Sequence, residues 1–225
     1  MARLISALFI AAALCLIGLA NAAPLQIQMH DQNGKSLADA VVTLQGPIGL
    51  PVSAFKADMD QRSQQFAPHV LAVHTGTPIK FPNSDNIRHQ VYSFSPAKRF
   101  ELRLYEGTPS DPVLFDKPGV VVLGCNIHDW MLGYVYVTDD PRFGVTDAQG
   151  QLTLDAPAGV YHATLWHPQA SGMQPVDGGE VKIAAAGLAQ AFTLTIDAQA
   201  EQTPTAPAPS AFGDAFKRAT DETTQ

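Results

Sequence analysis

The amino-acid sequence predicts an all-β protein. Short runs rich in Val, Ile, Phe, Tyr and Thr recur along the chain, and Gly, Pro, Asn and Asp separate them at spacings typical of β-sandwiches. Helix signals are scarce. The one ambiguous segment, residues 99–105, fits a strand or an irregular connection as well as a short helix. With 225 residues the chain is long enough for one or two domains and for a core that needs no covalent cross-link.

The first 22 residues have the features of a secretory signal peptide. Arg3 precedes an apolar run at residues 4–19, and the small-x-small sequence of residues 20–22 follows that run. An uncleaved membrane span is the alternative, but the apolar run is short for a span and a cleavage signal ends it. We therefore expect a periplasmic or secreted protein with no integral membrane span after cleavage.

Charge and cysteine content narrow the function further. The formal net charge is -7, so the protein is not expected to bind nucleic acid through charge. Cys15 lies in the predicted signal peptide, which leaves Cys125 as the single cysteine of the exported protein. A lone thiol in an oxidising compartment is buried and inert, pairs with another chain or holds a metal. Metal-binding residue types near Cys125 favour the third role.

The chain after the signal peptide begins with a predicted β-hairpin. Residues 25–30 alternate apolar and polar side chains, residues 31–34 have the Asp-x-Asn-Gly pattern of a turn, and residues 40–44 form a second β-type run. From residue 198 the composition changes to Thr, Pro, Ala and Ser. We expect a disordered tail at 198–225, because such a segment has too few apolar residues to fold alone.

The segment most informative about function is 118–137. Two β-type runs flank a short loop with Cys125, His128 and Met131, each separated by two residues. A thiolate, an imidazole and a thioether form the donor set that favours copper in a trigonal site of two histidines and one cysteine with a distant axial methionine. The loop supplies one histidine. His89, at the start of an upstream β-type run, is the candidate for the second.

This segment resembles the closing hairpin of the cupredoxins, the plastocyanin-like and amicyanin-like blue copper proteins. Its Cys-x-x-His-x-x-Met spacing is most similar to that of amicyanin, and the resemblance covers about residues 52–138. The resemblance implies a cupredoxin Greek-key β-sandwich at 47–140. It also implies one type 1 copper per chain, with the four ligands His89, Cys125, His128 and Met131.

The same resemblance implies a function. An exported blue copper protein transfers single electrons, is not an enzyme, and exchanges electrons with a redox protein such as a dehydrogenase or a cytochrome c; the amicyanin-like loop suggests a link to methylamine or other amine oxidation. The alternative is a protein that delivers or buffers copper through a docking domain, although Met-rich or His-rich arms are absent from the sequence. A mononuclear copper enzyme would need an open coordination position, against which Met131 argues.

The predicted hairpin resembles a different family. Its pattern is similar to the opening of a carboxypeptidase regulatory-like domain, a small transthyretin-like β-sandwich. The usual continuation of that domain, a Thr-Asp-x-x-Gly turn and a Pro-x-Gly-x-Tyr strand, is found at residues 145–165. We therefore predict a discontinuous sandwich at 24–46 and 141–197, with the cupredoxin inserted between its two segments. The alternative is one enlarged cupredoxin that these strands extend.

The other histidines lack a metal-binding context in the sequence. His30 and His74 adjoin turns, and His162 and His167 lie in the predicted outer sandwich. His69 follows residues 66–68 near the predicted site, so a position beside the ligands is the alternative to the favoured position on a strand surface. Gln90 follows His89 where many cupredoxins have an Asn that bridges the two copper-bearing loops, so that bridge is in doubt here.

Overall fold

The computed structural model describes residues 22–46, 57–109 and 111–197. The predicted tail, and the predicted signal peptide apart from Ala22, lie outside these ranges. The described part of the chain contains no helix with the length and hydrophobicity that a bilayer crossing requires.

The described residues form β-strands and a single turn of 3₁₀ helix, Ser171–Met173, which confirms the all-β prediction. The ambiguous segment 99–105 belongs to a strand. In chain order the strands are β1 (Ala22–Asp31), β2 (Val41–Gln45), β3 (Ala57–Asp58), β4 (Asp60–Arg62), β5 (Gln65–Ala67), β6 (Val70–His74), β7 (Thr77–Lys80), β8 (His89–Ser95), β9 (Lys98–Tyr105), β10 (Val113–Phe115), β11 (Gly119–Cys125), β12 (His128–Thr138), β13 (Arg142–Val145), β14 (Gln151–Pro157), β15 (Gly159–Trp166), β16 (Val176–Ile183) and β17 (Leu188–Leu194).

Two sheets from the ends of the described chain form what we call the split sandwich, residues 22–46 and 141–197. One sheet has the strand order β14-β1-β17 and the other β13-β2-β15-β16. The alternating apolar residues of β1, including Leu25 and Met29, pack into one buried cluster with Val42 and Leu44 of β2. This cluster contains residues of both sheets, so the two sheets enclose a common core.

The predicted hairpin of β1 with β2 is wrong. β1 pairs antiparallel with β14 and parallel with β17, whereas β2 pairs with β13 and β15. The turn between β1 and β2 does form: the Asp31 carboxylate accepts the backbone N–H groups of Asn33 and Lys35. After this turn the chain crosses to the other sheet of the sandwich. The apolar faces of β1 and β2 therefore pack against each other across the core, and the two strands are not neighbours in one sheet.

The strands between residues 57 and 138 form what we call the central sandwich. A five-stranded sheet has the order β6-β12-β11-β8-β9, and a three-stranded sheet has the order β10-β7-β3. β4 and β5 form a short hairpin, and β5 contacts β12 of the five-stranded sheet. Val91 of β8, Leu123 of β11 and Ile79 of β7 are fully buried in a second cluster, which belongs to this sandwich alone. That the two sandwiches are independent folding units stays a prediction.

A small third cluster joins the two sandwiches. Val41 and Trp166 of the split sandwich pack against Val70 and Tyr136 of the central sandwich. Trp166 is fully buried, its ring lies 5.4 Å from that of Tyr136 and 5.9 Å from that of Tyr134, and its indole N–H donates to the carbonyl of Met173. The contact is therefore apolar, and its largest side chain also has its one hydrogen-bond donor satisfied.

Candidate metal centre

Three strands of the central sandwich end at one point and carry the predicted ligands there. His89 is the first residue of β8, Cys125 the last of β11, and His128 the first of β12. Two residues link β11 to β12, and a register shift at Cys125 pairs it directly with His128. Adjacent strands in one sheet thus bring side chains together that lie 36 residues apart in sequence.

Both imidazoles lie close to the cysteine sulfur. The Cys125 Sγ atom is 3.6 Å from Nδ1 of His128 and 3.8 Å from Nδ1 of His89. With metal–sulfur and metal–nitrogen bonds of ~2.3 and ~2.05 Å, as in protein zinc sites, and angles between trigonal and tetrahedral, two such donors lie roughly 3.6 to 3.8 Å apart. The observed separations therefore fit donors that share one metal ion.

The remaining geometry is consistent with a common centre. The ligand atoms of His89, Cys125 and His128 all lie within 4.8 Å of one another, and the described residues contain no second such group of His, Cys, Asp or Glu. All three side chains are buried, with exposures of 0%, 3% and 9% in that order. A cysteine sulfur and two imidazole nitrogens are donors that soft and borderline metal ions prefer, so the residues present fit a bound metal.

Met131 lies in the same buried cluster as Cys125 and is 1% exposed. It follows His128 by three residues on β12. The structure thus places the fourth predicted ligand in the apolar surroundings of the cysteine, where a thioether is a weak donor to a soft metal.

A carboxylate that sequence reasoning missed contacts one of the imidazoles. Asp85 lies in the connection between β7 and β8, and its Oδ2 atom is 2.7 Å from Nε2 of His89. Because Nδ1 of the same ring faces Cys125, the two ring nitrogens of His89 have different neighbours. The sequence signal that could have indicated this contact is an acidic residue four positions before a candidate histidine ligand.

Burial and charge act together on His128. Burial lowers the pKa of His128, the neighbouring His89 lowers it further, and Asp85 acts in the opposite direction with a smaller effect. The pKa of the Asp85 carboxyl is raised by burial, but hydrogen bonds from Gln64, His89 and Ser63 bring it below its ordinary value. The site therefore favours neutral imidazole at His128 beside an ionised carboxylate, the protonation state that metal binding requires.

The loop that carries His128 also forms the surface nearest the site. Ile127 is 49% exposed and Asp129 is exposed. The indole ring of Trp130 lies 5.2 Å from the His128 ring. An apolar side chain and an acidic side chain thus flank the most exposed of the three donor residues.

The remaining histidines lie away from this group. The ring of His69 contacts Tyr134 at 5.3 Å, edge to face, and lines a cleft of about 790 Å³ that residues of both sandwiches border. His167 lies on the same cleft, and its Nε2 is 3.1 Å from the carbonyl of Ala38. Neither histidine is part of the His89, Cys125 and His128 group.

Gln90 does not bridge the ligand loops. Its side-chain amide donates to Glu101 of β9 at 2.7 Å. Asn83 makes a different connection, because its amide donates to the carbonyls of Ile87 and Tyr105 and so ties the start of β8 to the end of β9.

Comparison with known proteins gives matches to solved structures alone. No protein-family model matches the chain, and no curated protein does either. A copper-containing nitrite reductase from Thermus scotoductus SA-01 is similar over 41% of this chain with 23% identity and a TM-score of 0.36. The match spans a quarter, 25%, of that longer protein.

Two smaller structures match over most of their own length. A purple cupredoxin from Nitrosopumilus maritimus is similar over 36% of this chain and 99% of its own, with 21% identity and a TM-score of 0.32. A mutant of amicyanin in its reduced Cu(I) form at pH 4 is similar over 43% of this chain and 98% of its own, with 17% identity and a TM-score of 0.34. At these scores the likeness carries no weight for function, which rests on the side chains of this chain.

Proposed function

We propose that the central sandwich is a cupredoxin domain that binds one type 1 copper ion and transfers single electrons. The observation that carries the proposal is the convergence of His89, Cys125 and His128, with both imidazole Nδ1 atoms within 3.8 Å of the sulfur. We assign these three side chains as the equatorial ligands and Met131 as the weak axial ligand.

The donor set favours copper over the other common transition metals. Structural zinc sites use four strong ligands, commonly two or more cysteines with histidines. One cysteine, two histidines and a methionine are instead the ligands of electron-transfer copper sites. A bound copper supplies a one-electron couple between Cu(II) and Cu(I).

The protein contributes rigidity and an apolar environment. The three equatorial donors are placed at the ends of hydrogen-bonded strands, so their positions change little when the charge of the site changes. Burial keeps water from the donors and limits the solvent rearrangement that accompanies electron transfer. Both features favour electron transfer over chemistry on a substrate, and we propose no enzymatic activity.

The electron path follows from exposure. His128 is the most exposed of the three donors, and Ile127 and Asp129 border it. We propose that a redox protein, such as a dehydrogenase or a cytochrome c in the periplasm or outside the cell, docks over this loop. An amine-oxidising pathway is one such setting, and it stays an expectation from the spacing of the ligand loop.

Redox cycling of the copper-loaded full-length chain tests the proposal. We expect a reversible one-electron wave in voltammetry and a visible band that disappears on reduction and returns on reoxidation with one copper retained per chain. A Cu(I) chelator added to the reduced protein should remove copper slowly, because the ligands are buried. Rapid loss of Cu(I) without a reversible wave would instead support copper delivery or buffering.

A further inference from the structure

Asp85 contacts His89, one of the proposed ligands, on the side of the ring that faces away from Cys125. Its Oδ2 atom lies 2.7 Å from Nε2 of His89, a side chain with no solvent exposure, while the Asp85 side chain is 14% exposed. On the opposite edge of the same ring, Nδ1 is 3.8 Å from Cys125 Sγ. A hydrogen bond at Nε2 therefore determines whether the Nδ1 atom that faces the cysteine carries a hydrogen or a lone pair.

The Asp85 carboxylate is itself fixed by the β4–β5 hairpin. The backbone N–H of Ser63 donates to Oδ1 at 2.6 Å, and that of Gln64 donates to Oδ2 at 2.9 Å. Ser63 and Gln64 form the turn of this hairpin and have φ angles of 50° and 58°, so consecutive N–H groups meet one carboxylate. The backbone N–H of Asp85 donates in turn to Oδ1 of Asn83 at 3.0 Å.

This arrangement assigns the tautomer of His89. With two N–H donors and His89 Nε2 around it, the ionised carboxylate can only accept, so Nε2 carries the hydrogen and donates. Nδ1 is then unprotonated, lies 3.8 Å from the Cys125 sulfur, and would be able to bind a metal that this sulfur also binds. Carboxylate partners of ligating histidines commonly orient the ring and raise the basicity of the ligand.

We propose that Asp85 is a positioning residue of the metal centre, which holds His89 in the tautomer that binds and lowers the reduction potential of the bound copper. The potential falls because the negative charge of Asp85, hydrogen-bonded to the ligand His89, favours Cu(II) over Cu(I). The part of the proposal that concerns copper rests on the proposed function. The part that concerns the tautomer does not.

The tautomer is measured on the metal-free wild-type chain by long-range ¹H–¹⁵N NMR of the histidine rings. We expect the His89 ring to show a protonated Nε2 and an unprotonated Nδ1. A protonated Nδ1 would overturn the proposal whether or not the protein binds copper. This measurement needs no variant and so does not depend on how a substitution affects folding.

Asp85→Asn tests the charge, with Asp60→Asn as the matched control. Asp60 is a carboxylate of the β4 strand with 8% side-chain exposure, and it pairs with Arg62 rather than with a ligand. For Asp85→Asn we expect a higher reduction potential and a Cu(II) affinity lower by ~10 to 100-fold. Asp60→Asn should leave both near their wild-type values.

Two results contradict the role of Asp85. Asp85→Asn with the wild-type potential and affinity would make Asp85 a structural anchor for the hairpin alone. Equal shifts in Asp85→Asn and Asp60→Asn would assign the effect to the stability of the hairpin. If the wild-type chain binds copper without a thiolate charge-transfer band, the proposed function fails, and the NMR measurement still decides the role of Asp85 toward His89.

Discussion

Cys125 is buried close to two imidazoles, and this position decides which chemistry is open to its thiol. At 3% exposure its sulfur is closed to a disulfide partner of ordinary size, although an oxidising compartment would otherwise favour such pairing. His128 is the most exposed donor, and we propose that an electron enters or leaves through its edge. At the residue scale, the site therefore suits electron transfer better than thiol chemistry.

Met131→Leu tests the axial ligand, and Met59→Leu is its control. Both methionines are buried in the same cluster, so both substitutions should cost less than about 1.5 kcal/mol of stability. Met131→Leu should also raise the reduction potential, because the lost thioether is a donor that favours Cu(II). Voltammetry of both variants is the measurement. Equal potentials in the two variants would make Met131 a core side chain alone.

The sequence predicted the group of His89, Cys125 and His128 but not what supports it. Cys125 and His128 are close in sequence, so the short connection between β11 and β12 brings them together, and the β-type run that follows His89 pointed to that residue. The part of Met131 as a ligand stays a prediction. Asp85 was missed because its role depends on the position of the Ser63–Gln64 turn, more than 20 residues away in the chain. The spacing of four residues between Asp85 and His89 does not by itself show that the two side chains meet.

At the scale of elements, alternation in the sequence predicted strands well and their partners poorly. The apolar residues of β1 and β2 were correctly read as buried faces. A turn between them suggested direct pairing, which is the common outcome of a short connection. In the structure β1 pairs with β14 and β17 instead. These strands lie more than 100 residues after β1, so the sequence pattern around β1 does not indicate them as its partners.

The residue after β15 is His167, and we expect it to make the stability of the split sandwich depend on pH. His167 accepts the N–H of Gln169 at Nδ1 and lies 3.1 Å from the Ala38 carbonyl at Nε2, which fits a neutral ring. Burial, with a smaller contribution from His69, lowers the pKa of His167 from 6.5 to about 4. The unfolded chain therefore takes up the proton first as the pH falls.

We expect the free energy of unfolding to fall between pH 6.5 and about 4, by on the order of 3 kcal/mol from this group. Above pH 6.5 the ring is neutral in both states and contributes no pH dependence. His167→Gln should flatten this part of the profile in urea unfolding of the metal-free protein. His162→Gln, at a histidine with 53% side-chain exposure, should leave it unchanged. A fall of the same size in His167→Gln would contradict the assignment.

At the scale of the whole molecule, the described residues of the two sandwiches meet at the Trp166 cluster and line two clefts together. The four proposed ligands and the core around them lie entirely within the central sandwich. Tyr136 and Val70 lie outside this core, and Trp166 and Val41 of the split sandwich pack against them. The division predicted at 47–140 and its flanks is therefore physically reasonable, and it is open to direct test.

A fragment of residues 46–138 should fold and bind one copper with the colour of the full-length chain. It should be less stable and more prone to self-association, because it exposes the apolar side chains that Trp166 covers. Copper stoichiometry, size-exclusion chromatography and thermal unfolding check this. An insoluble or copper-free fragment would favour one enlarged domain.

Trp166→Ala tests the contact between the two sandwiches in the full-length chain, without removal of the split sandwich. Removal of a fully buried indole should lower the free energy of unfolding by about 3 to 5 kcal/mol. The visible spectrum of the copper-loaded variant should match that of the wild type, since Trp166 belongs to a cluster separate from the one around Cys125. A changed spectrum would mean that the split sandwich shapes the metal centre.

The claim that Cys125 binds copper as a thiolate is tested most directly by the visible absorption and electron paramagnetic resonance spectra of the copper-loaded chain. The wild-type protein should show an intense thiolate-to-copper charge-transfer band and a narrow copper hyperfine splitting, because covalency with sulfur spreads the unpaired electron. Cys125→Ser should lose both features while the free energy of unfolding of the metal-free protein changes little. A wild-type protein that binds copper without this band, or a Cys125→Ser variant that keeps it, would contradict the assignment of the site.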